Sequence, residues 1–316
     1  MQIVWYNIYK HKSHFLIINI KGGSIMGYID MHMHSIASDG KWSPKQIVDF
    51  CINNNVTTIS LTEHYNLGSY KIARKLAEND VEIIPGIEIG ATLNDLGYSK
   101  NHVCHLLAYY PNYNICKILD QYELSREKCV KRTLEVLREK KHMKISYRDV
   151  LRVARSKKSV GRFDIAIAIA RLGYSLDPIT AYGEYLDCGK VCYIDRQKMP
   201  TSELINEIRK VQGVPVIAHP KSLKMLYNEL FDFLKTLKGF GLEGLEVYNP
   251  HHTEEQTKIF SDMADELGLI KTVGSDFHGK STDNIVIGYG IENNLMIDDY
   301  SIITNLKKCH SKILLK

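Results

Sequence analysis

Asp30-Met31-His32-Met33-His34-Ser35, closely followed by Ser38-Asp39-Gly40, gathers imidazoles and carboxylates into one short stretch. Side chains alternate along a strand, so His32 and His34 project from the same side and can converge on one point, as metal ligation requires. Gly274-Ser275-Asp276-Phe277-His278-Gly279 repeats the spacing with a carboxylate and an imidazole. A single His-x-His is commonplace. Two such pairs, each closing an apolar run, predict one metal site assembled from distant segments.

Other ligand-type residues occupy comparable places. His64 follows Thr57–Leu61, Glu88 follows Val81–Ile84, and His219 follows Val214–Ala218. His105 fits less well, because it precedes much of its own run, Val103–Tyr109. Taken singly, His64 also suits a helix cap, His219 a satisfied core histidine and Glu88 a surface ion pair. Their shared position points instead to one rim.

Seven apolar runs carry these residues: the four just named with Tyr28–Met31, Gly244–Val247 and Ile270–Val273. Segments of helical period separate several of them. Pro44–Asn54 opens on a proline, and Glu254–Leu267 stops at Gly268. Glu203–Val211 has the same period. Alternating strands and helices predict an α/β fold with a parallel sheet, closing into a distorted seven-stranded (β/α) barrel with its site at the C-terminal rim. The alternation lapses between Pro111 and Lys190. There Glu123–Lys140, Tyr147–Ala154, Asp164–Leu172 and Pro178–Leu186 read as helices with no strand among them. The expected organisation is therefore an N-terminal extension (1–25), a first barrel part (26–110), an inserted helical subdomain (111–190) and a second barrel part (191–316).

Bulk properties narrow the function. The chain has 316 residues, 44% hydrophobic and 24% charged, as soluble globular proteins do. A formal charge of +5 suits a small anionic substrate and falls short of a dedicated nucleic-acid binder. Seven cysteines without a C-x-x-C pair indicate reduced thiols in the cytoplasm. The run His14–Ile20 is too short to span a bilayer, so no membrane association is expected. No obligate protein partner is evident.

The motifs Asp30–Gly40, Thr62–His64, Pro85–Glu88, His105, Gly161-Arg162, Ala218–Pro220, Glu246–Gln256 and Gly274–Gly279 together resemble the PHP (polymerase and histidinol phosphatase) superfamily of metal-dependent phosphoesterases. They resemble in particular the bacterial branch of nucleoside 3′,5′-bisphosphate phosphatases, AMP phosphatases and RNA 5′-exonucleases. The resemblance runs from Tyr28 to Tyr289. It implies three divalent cations, Mn²⁺, Fe²⁺ or Zn²⁺. His32, His34, Glu88 and Asp276 would hold the first; Glu88 would bridge to a second held by His105 and His219; Asp39, His64 and His278 would hold the third. Two departures stand out. Glu63 replaces the usual aspartate, lengthening the side chain that would orient His64, and Phe163-Asp164 replaces the Pro-His that usually follows Gly-Arg.

The expected reaction is hydrolysis of the phosphate monoester of a small nucleotide, a 3′,5′-bisphosphate or a monophosphate, at a metal-activated water, with Glu88 central. Arg162 would clamp a phosphate through its planar fork. Lys221 would add charge at the rim, Tyr193 and Arg196 would flank the ligand, and His252 would protonate the leaving group or bind substrate. Competing readings are a 5′→3′ exonuclease on short RNA, a histidinol-phosphate phosphatase and a non-enzymatic metal-holding domain. The exonuclease would need a basic, aromatic track leading away from the site.

Overall fold

The computed structural model describes residues 27–98, 103–154, 160–187, 189–194, 198–279 and 284–315, without the side chains of 120–126. The expected extension 1–25 and Arg196 lie outside the described residues. In chain order the elements are β1 (Tyr28–Met33), α1 (Pro44–Asn53), β2 (Val56–Leu61), α2 (Gly68–Ala77), β3 (Glu82–Ile83), β4 (Gly86–Thr92) and β5 (Val103–Tyr109). Helices α3 (Asn114–Lys141), α4 (Tyr147–Val153), α5 (Arg162–Arg171) and α6 (Pro178–Ala181) follow. The chain then returns through α7 (Thr201–Lys210), β6 (Val214–Ile217), α8 (Tyr227–Phe240), β7 (Gly244–Tyr248), α9 (Glu254–Leu267), β8 (Ile270–Val273) and α10 (Ser301–Leu314).

Local sequence explains the helix boundaries. Ser43 caps α1 reciprocally with Gln46, Pro44 takes the first helical position, and Ile47, Val48 and Cys51 form the buried face. Thr253 and Gln256 cap α9 in the same way, and Gly268 ends it in the left-handed conformation that spares glycine a Cβ clash.

The fold is mixed α/β, but the strands depart from the expected single parallel sheet. They form two sheets, ordered β1-β2-β3 and β4-β5-β6-β7-β8, with β5 antiparallel to both β4 and β6. No continuous ladder closes them among the described residues. The run Val81–Ile84 yields only a two-residue strand, because Pro85 cannot donate to a ladder. An eighth strand, β4, then begins at Gly86. Its sequence Ile87-Glu88-Ile89-Gly90-Ala91 alternates as a strand should, so Glu88, expected just after the run Val81–Ile84, lies within a strand of its own. The chain between Thr92 and Val103 is too short for a crossover helix, so β5 must return antiparallel.

Isolated bridges span the gaps between the sheets, Met33 to Phe277 and His64 to Glu88. Side chains from both sheets, among them Ile29, Met31, Leu107, Tyr109 and Val216, meet in one interior cluster that α10 covers with Ile302, Ile303 and Leu306. Helices α7, α8 and α9 pack outside the five-stranded sheet, and α1 and α2 outside the three-stranded one. Helices α3–α6 carry their own apolar cluster, including Leu134, Leu137, Ile165 and Ile169. Tyr182–Leu186, expected as part of a helix from Pro178, forms a single π-helical turn after α6.

Candidate metal centre

Each ligand-type side chain is delivered by a strand or the segment just beyond one. β1 carries His32, His34 stands just past its end, the turn after that bears Asp39, and the segment after β2 bears His64. Glu88 lies inside β4. His105 lies near the start of β5, and the antiparallel pairing sets it opposite Gly90, beside Glu88. The awkward position of His105 in its apolar run is thus a consequence of strand direction. His219 follows β6, while Asp276 and His278 follow β8. His219 and Asp276 have φ of 27° and 56°, a left-handed region uncommon for such residues and found where a site over-determines the backbone.

All nine side chains converge. Their nitrogen and oxygen atoms fall into three groups, each with every atom within 4.8 Å of the others. One group is His32, His34, Glu88 and Asp276; another is Glu88, His105 and His219; the third is His34, Asp39, His64 and His278. Glu88 joins the first two groups. His34 joins the first and third, its Nε2 lying 3.2 Å from both Glu88 Oε2 and Asp276 Oδ1, and its Nδ1 3.7 Å from Asp39 Oδ1.

Hydrogen bonds outside the cluster fix which ring nitrogens face inward. His32 Nδ1 donates to Glu246 Oε1 at 2.9 Å, so in the neutral ring Nε2 carries the lone pair. That lone pair faces His34 Nε2 at 3.3 Å, Asp276 Oδ1 at 3.3 Å and Glu88 Oε1 at 3.5 Å. His278 Nδ1 donates to the Asp276 carbonyl at 2.7 Å, leaving its Nε2 to face Asp39 Oδ1 at 3.4 Å. Asp276 Oδ1 is buried without a hydrogen bond of acceptable geometry. Lone pairs opposed at such distances repel unless protons or a metal cation lie between them, and nitrogen and carboxylate donors so converged suit divalent ions.

The electrostatics agree. Burial would raise the Glu88 carboxyl, but His105, His64 and His32 outweigh it and hold the group well below its ordinary range. Burial would lower His34, yet the adjacent carboxylates of Asp276 and Glu88 raise it to about 10. Burial opposes His32 likewise, and Glu246, Glu88 and Asp276 lift it well above 6.5. Without a metal the cluster therefore holds protons at neutral pH, and a metal must displace them.

Three buried carboxylates hold the ligands in place through contacts that the sequence does not reveal. Glu246 is fully buried on β7 and accepts from His32 Nδ1, from the His219 backbone N–H at 2.6 Å and from Asn249 Nδ2 at 3.3 Å. The available signal was a carboxylate inside an apolar strand, which needs buried partners. Glu63 corrects an expectation, because its carboxylate does not orient His64. It accepts from the Ser35 N–H at 3.1 and 3.2 Å and from the hydroxyls of Ser35 and Ser38, fixing the turn that presents Asp39. Buried Asp30 accepts from the N–H groups of Ser275 and Gly288, both at 2.9 Å, tying β1 to the segment that bears Asp276.

The expected substrate residues behave differently from the ligands. His252 is buried against Phe260, its Nδ1 donates to the Val247 carbonyl, and its Nε2 has no hydrogen-bond partner. Burial lowers its pKa, so it is neutral at pH 7 and has no proton at Nε2 to give. This geometry speaks against the expected proton-donor role. Lys221 Nζ donates to the His251 carbonyl at 2.5 Å. Arg162 lies over the Tyr193 ring at 4.8 Å, and among the described residues no hydrogen bond or ion pair joins it to the nine-residue cluster. At that helix start the Gly161 N–H donates to Asp164 Oδ2 at 2.7 Å, so an acid already occupies part of the anion-binding end.

Comparison with known proteins adds context to this geometry. Residues 30–187 match the PHP domain. A 5′-3′ exoribonuclease of Haemophilus influenzae is 27% identical over 252 residues, covering 79% of this chain and 89% of that protein. A 3′,5′-nucleoside bisphosphate phosphatase of Chromobacterium violaceum is 23% identical over 267 residues, covering 84% and 92%. A solved structure from Bifidobacterium adolescentis, assigned as a metal-dependent phosphoesterase, aligns with a TM-score of 0.70 at 25% identity, covering 89% of this chain and 96% of its own.

Proposed function

The chain belongs to the PHP-domain family, and on that premise we propose that it is a metal-dependent hydrolase of phosphoric esters acting on a small nucleotide. The observation that carries this reading is the convergence of nine nitrogen- and oxygen-bearing side chains into three groups that share Glu88 and His34. The relatives named above act on a nucleoside bisphosphate and on RNA. A phosphate monoester of a nucleoside 3′,5′-bisphosphate or monophosphate is the substrate that best suits a cationic centre on a mildly basic protein.

We assign the metal ligands as three sets. His32, His34, Glu88 and Asp276 form one, Glu88 with His105 and His219 a second, and Asp39, His64 and His278 a third, for Mn²⁺, Fe²⁺ or Zn²⁺. Divalent ions bound there neutralise phosphoryl oxygens and lower the pKa of a bound water. The protein's part is positional. Glu246 fixes the His32 tautomer and the His219 backbone; Glu63 holds the turn bearing Asp39; Asp30 joins β1 to the Asp276 segment. Arg162 and Lys221 supply the fixed charges for phosphate groups. The two sheets act as one distorted barrel opened at its seams, a reading supported by the isolated bridges and the shared interior cluster. The helices inserted between β5 and β6 form a separate subdomain, which their own apolar cluster supports.

A second reading, 5′→3′ removal of nucleotides from short RNA, is favoured by the 27% identical exoribonuclease. One assay tests both. Metal-loaded wild-type protein and Glu88→Ala are given a nucleoside 3′,5′-bisphosphate, AMP, histidinol phosphate and 5′-phosphorylated short RNA in parallel. The expected outcome is phosphate or nucleotide release by wild type and none by the variant, whose metal content also falls. Wild-type protein that binds metal yet hydrolyses none of the four would overturn the proposal.

A further inference from the structure

Helix α2 and the start of α3 enclose a groove of about 420 Å³ lined by Tyr70, Lys71, Arg74, Lys75 and Tyr113. Their spacing creates the surface. Ser69, Ala73 and Ala77 bury the small-residue face of α2, so Tyr70 with Arg74 and Lys71 with Lys75 stack at i, i+4 on its outer side. Lys71 Nζ sits 4.5 Å above the ring of Tyr113, and Arg74 Nη1 donates to the Tyr70 hydroxyl at 3.4 Å. Tyr113 is 48% exposed, so much of an aromatic ring faces solvent beside three cations.

Charge pairing separates this helix from α1, α7 and α9, whose cations are all paired. Lys45, Lys131, Arg132, Lys210 and Lys258 each meet an acid three or four residues away on their own helices. Lys71, Arg74 and Lys75 make no ion pair among the described residues, and no acid lines the groove. Three unneutralised cations around two tyrosines are complementary to a ligand with both negative charge and flat aromatic groups. Cations track a phosphate backbone while exposed rings stack bases of any identity. An acidic peptide would satisfy the charge and leave the rings unused.

The groove stands apart from the metal centre. His105 faces Glu88, whereas Tyr113 lies beyond the other end of β5. The rise from His105 to Tyr109 alone is roughly 13 Å. A mononucleotide at the metals does not reach that far, but a chain of nucleotides does.

We infer that this groove is an accessory binding site for single-stranded RNA, holding nucleotides remote from the reacting phosphate. The inference rests on the reading that the metal centre hydrolyses nucleotide phosphoesters. Stacking at Tyr113 makes the site tolerant of sequence, and its cations make it sensitive to salt.

Fluorescence anisotropy with a 5′-phosphorylated, 3′-fluorescein-labelled oligouridylate tests it on the full-length protein in chelator, where no hydrolysis occurs. The Lys71→Glu/Arg74→Glu double variant is expected to bind at least tenfold more weakly than wild type and with a shallower salt dependence. Tyr113→Ala is expected to bind roughly fivefold more weakly on uridylate and adenylate alike. Lys258→Glu, on a helix where the cation is already paired, controls for net charge and should match wild type. All mutated positions are exposed, so circular dichroism can verify the fold of each variant. Unchanged RNA affinity in both groove variants overturns the inference, as does oligoglutamate displacing the RNA as well as unlabelled oligouridylate does. Wild-type hydrolysis is measured separately. If no phosphoester is cleaved but RNA binding still depends on Lys71, Arg74 and Tyr113, the catalytic reading fails and the groove stands.

Discussion

Replacing Glu246 with Gln removes one charge at nearly constant volume, and its consequences follow from three hydrogen bonds. The carboxylate accepts from His32 Nδ1 at 2.9 Å, the His219 N–H at 2.6 Å and Asn249 Nδ2 at 3.3 Å, with no exposure to water. A glutamine amide offers one acceptor oxygen, and its NH₂ group must then face another donor. At least one buried donor loses its partner, costing about 1–3 kcal/mol of stability. If the lost bond is that to His32, the ring is free to take the other tautomer and turn its N–H toward the cluster. Losing a carboxylate behind a metal-binding imidazole weakens metal affinity by roughly ten- to a hundredfold. Competition with a chromophoric chelator measures that affinity directly, and thermal melting of the chelator-treated protein measures the fold. The expected variant is folded, less stable without metal, and recovers activity at raised metal concentration. Wild-type metal affinity in Glu246→Gln would refute the argument that this carboxylate sets the His32 tautomer.

Gly274→Ala should act on the same pair from behind, because an added Cβ would overlap His32 Cβ and Glu246 Oε1. We expect a fall in both melting temperature and metal content, and a fully metallated, wild-type-stable variant would disprove the close packing. Stability of the metal-free protein should depend on pH through His34. Its folded pKa of about 10 exceeds the usual ~6.5, so its contribution is complete below pH 6.5 and is lost as pH rises through 10. Urea melts of chelated protein should therefore weaken from pH 6.5 to 10, and a flat profile would contradict the proton-filled cluster. Metal affinity should rise over the same interval as those protons become easier to displace. Arg162→Lys keeps the charge but loses the planar fork, so catalytic efficiency on the nucleotide should fall roughly ten- to a hundredfold with metals retained. Equal efficiency in Arg162→Lys and wild type would remove Arg162 from phosphate recognition.

Much of the centre was legible in the chain because strand geometry is local. Alternation alone placed His32 with His34, and apolar runs ending in polar residues located His64, His219, Asp276 and His278. Capping and glycine signals fixed α1 and α9 for the same reason, since they act over one turn. What the sequence could not determine was pairing between distant segments. Strand direction is set by loop length and by which edge is open, so the return of β5 antiparallel to β4, which explains His105, required the tertiary structure. The two-residue β3 and the separate β4 likewise arise from Pro85 and from competition for sheet edges. The partners of the supporting carboxylates, His32 for Glu246 and the Ser35–Ser38 turn for Glu63, were equally hidden. A buried carboxylate announces that it needs donors, but only the packed fold decides which donors reach it. The same holds for His252. Its expected place was at the leaving group, whereas burial against Phe260 lowers its pKa despite the bond to the Val247 carbonyl. Residue type and spacing named the ligands, and the desolvation and hydrogen bonding that tune them came only with the folded interior.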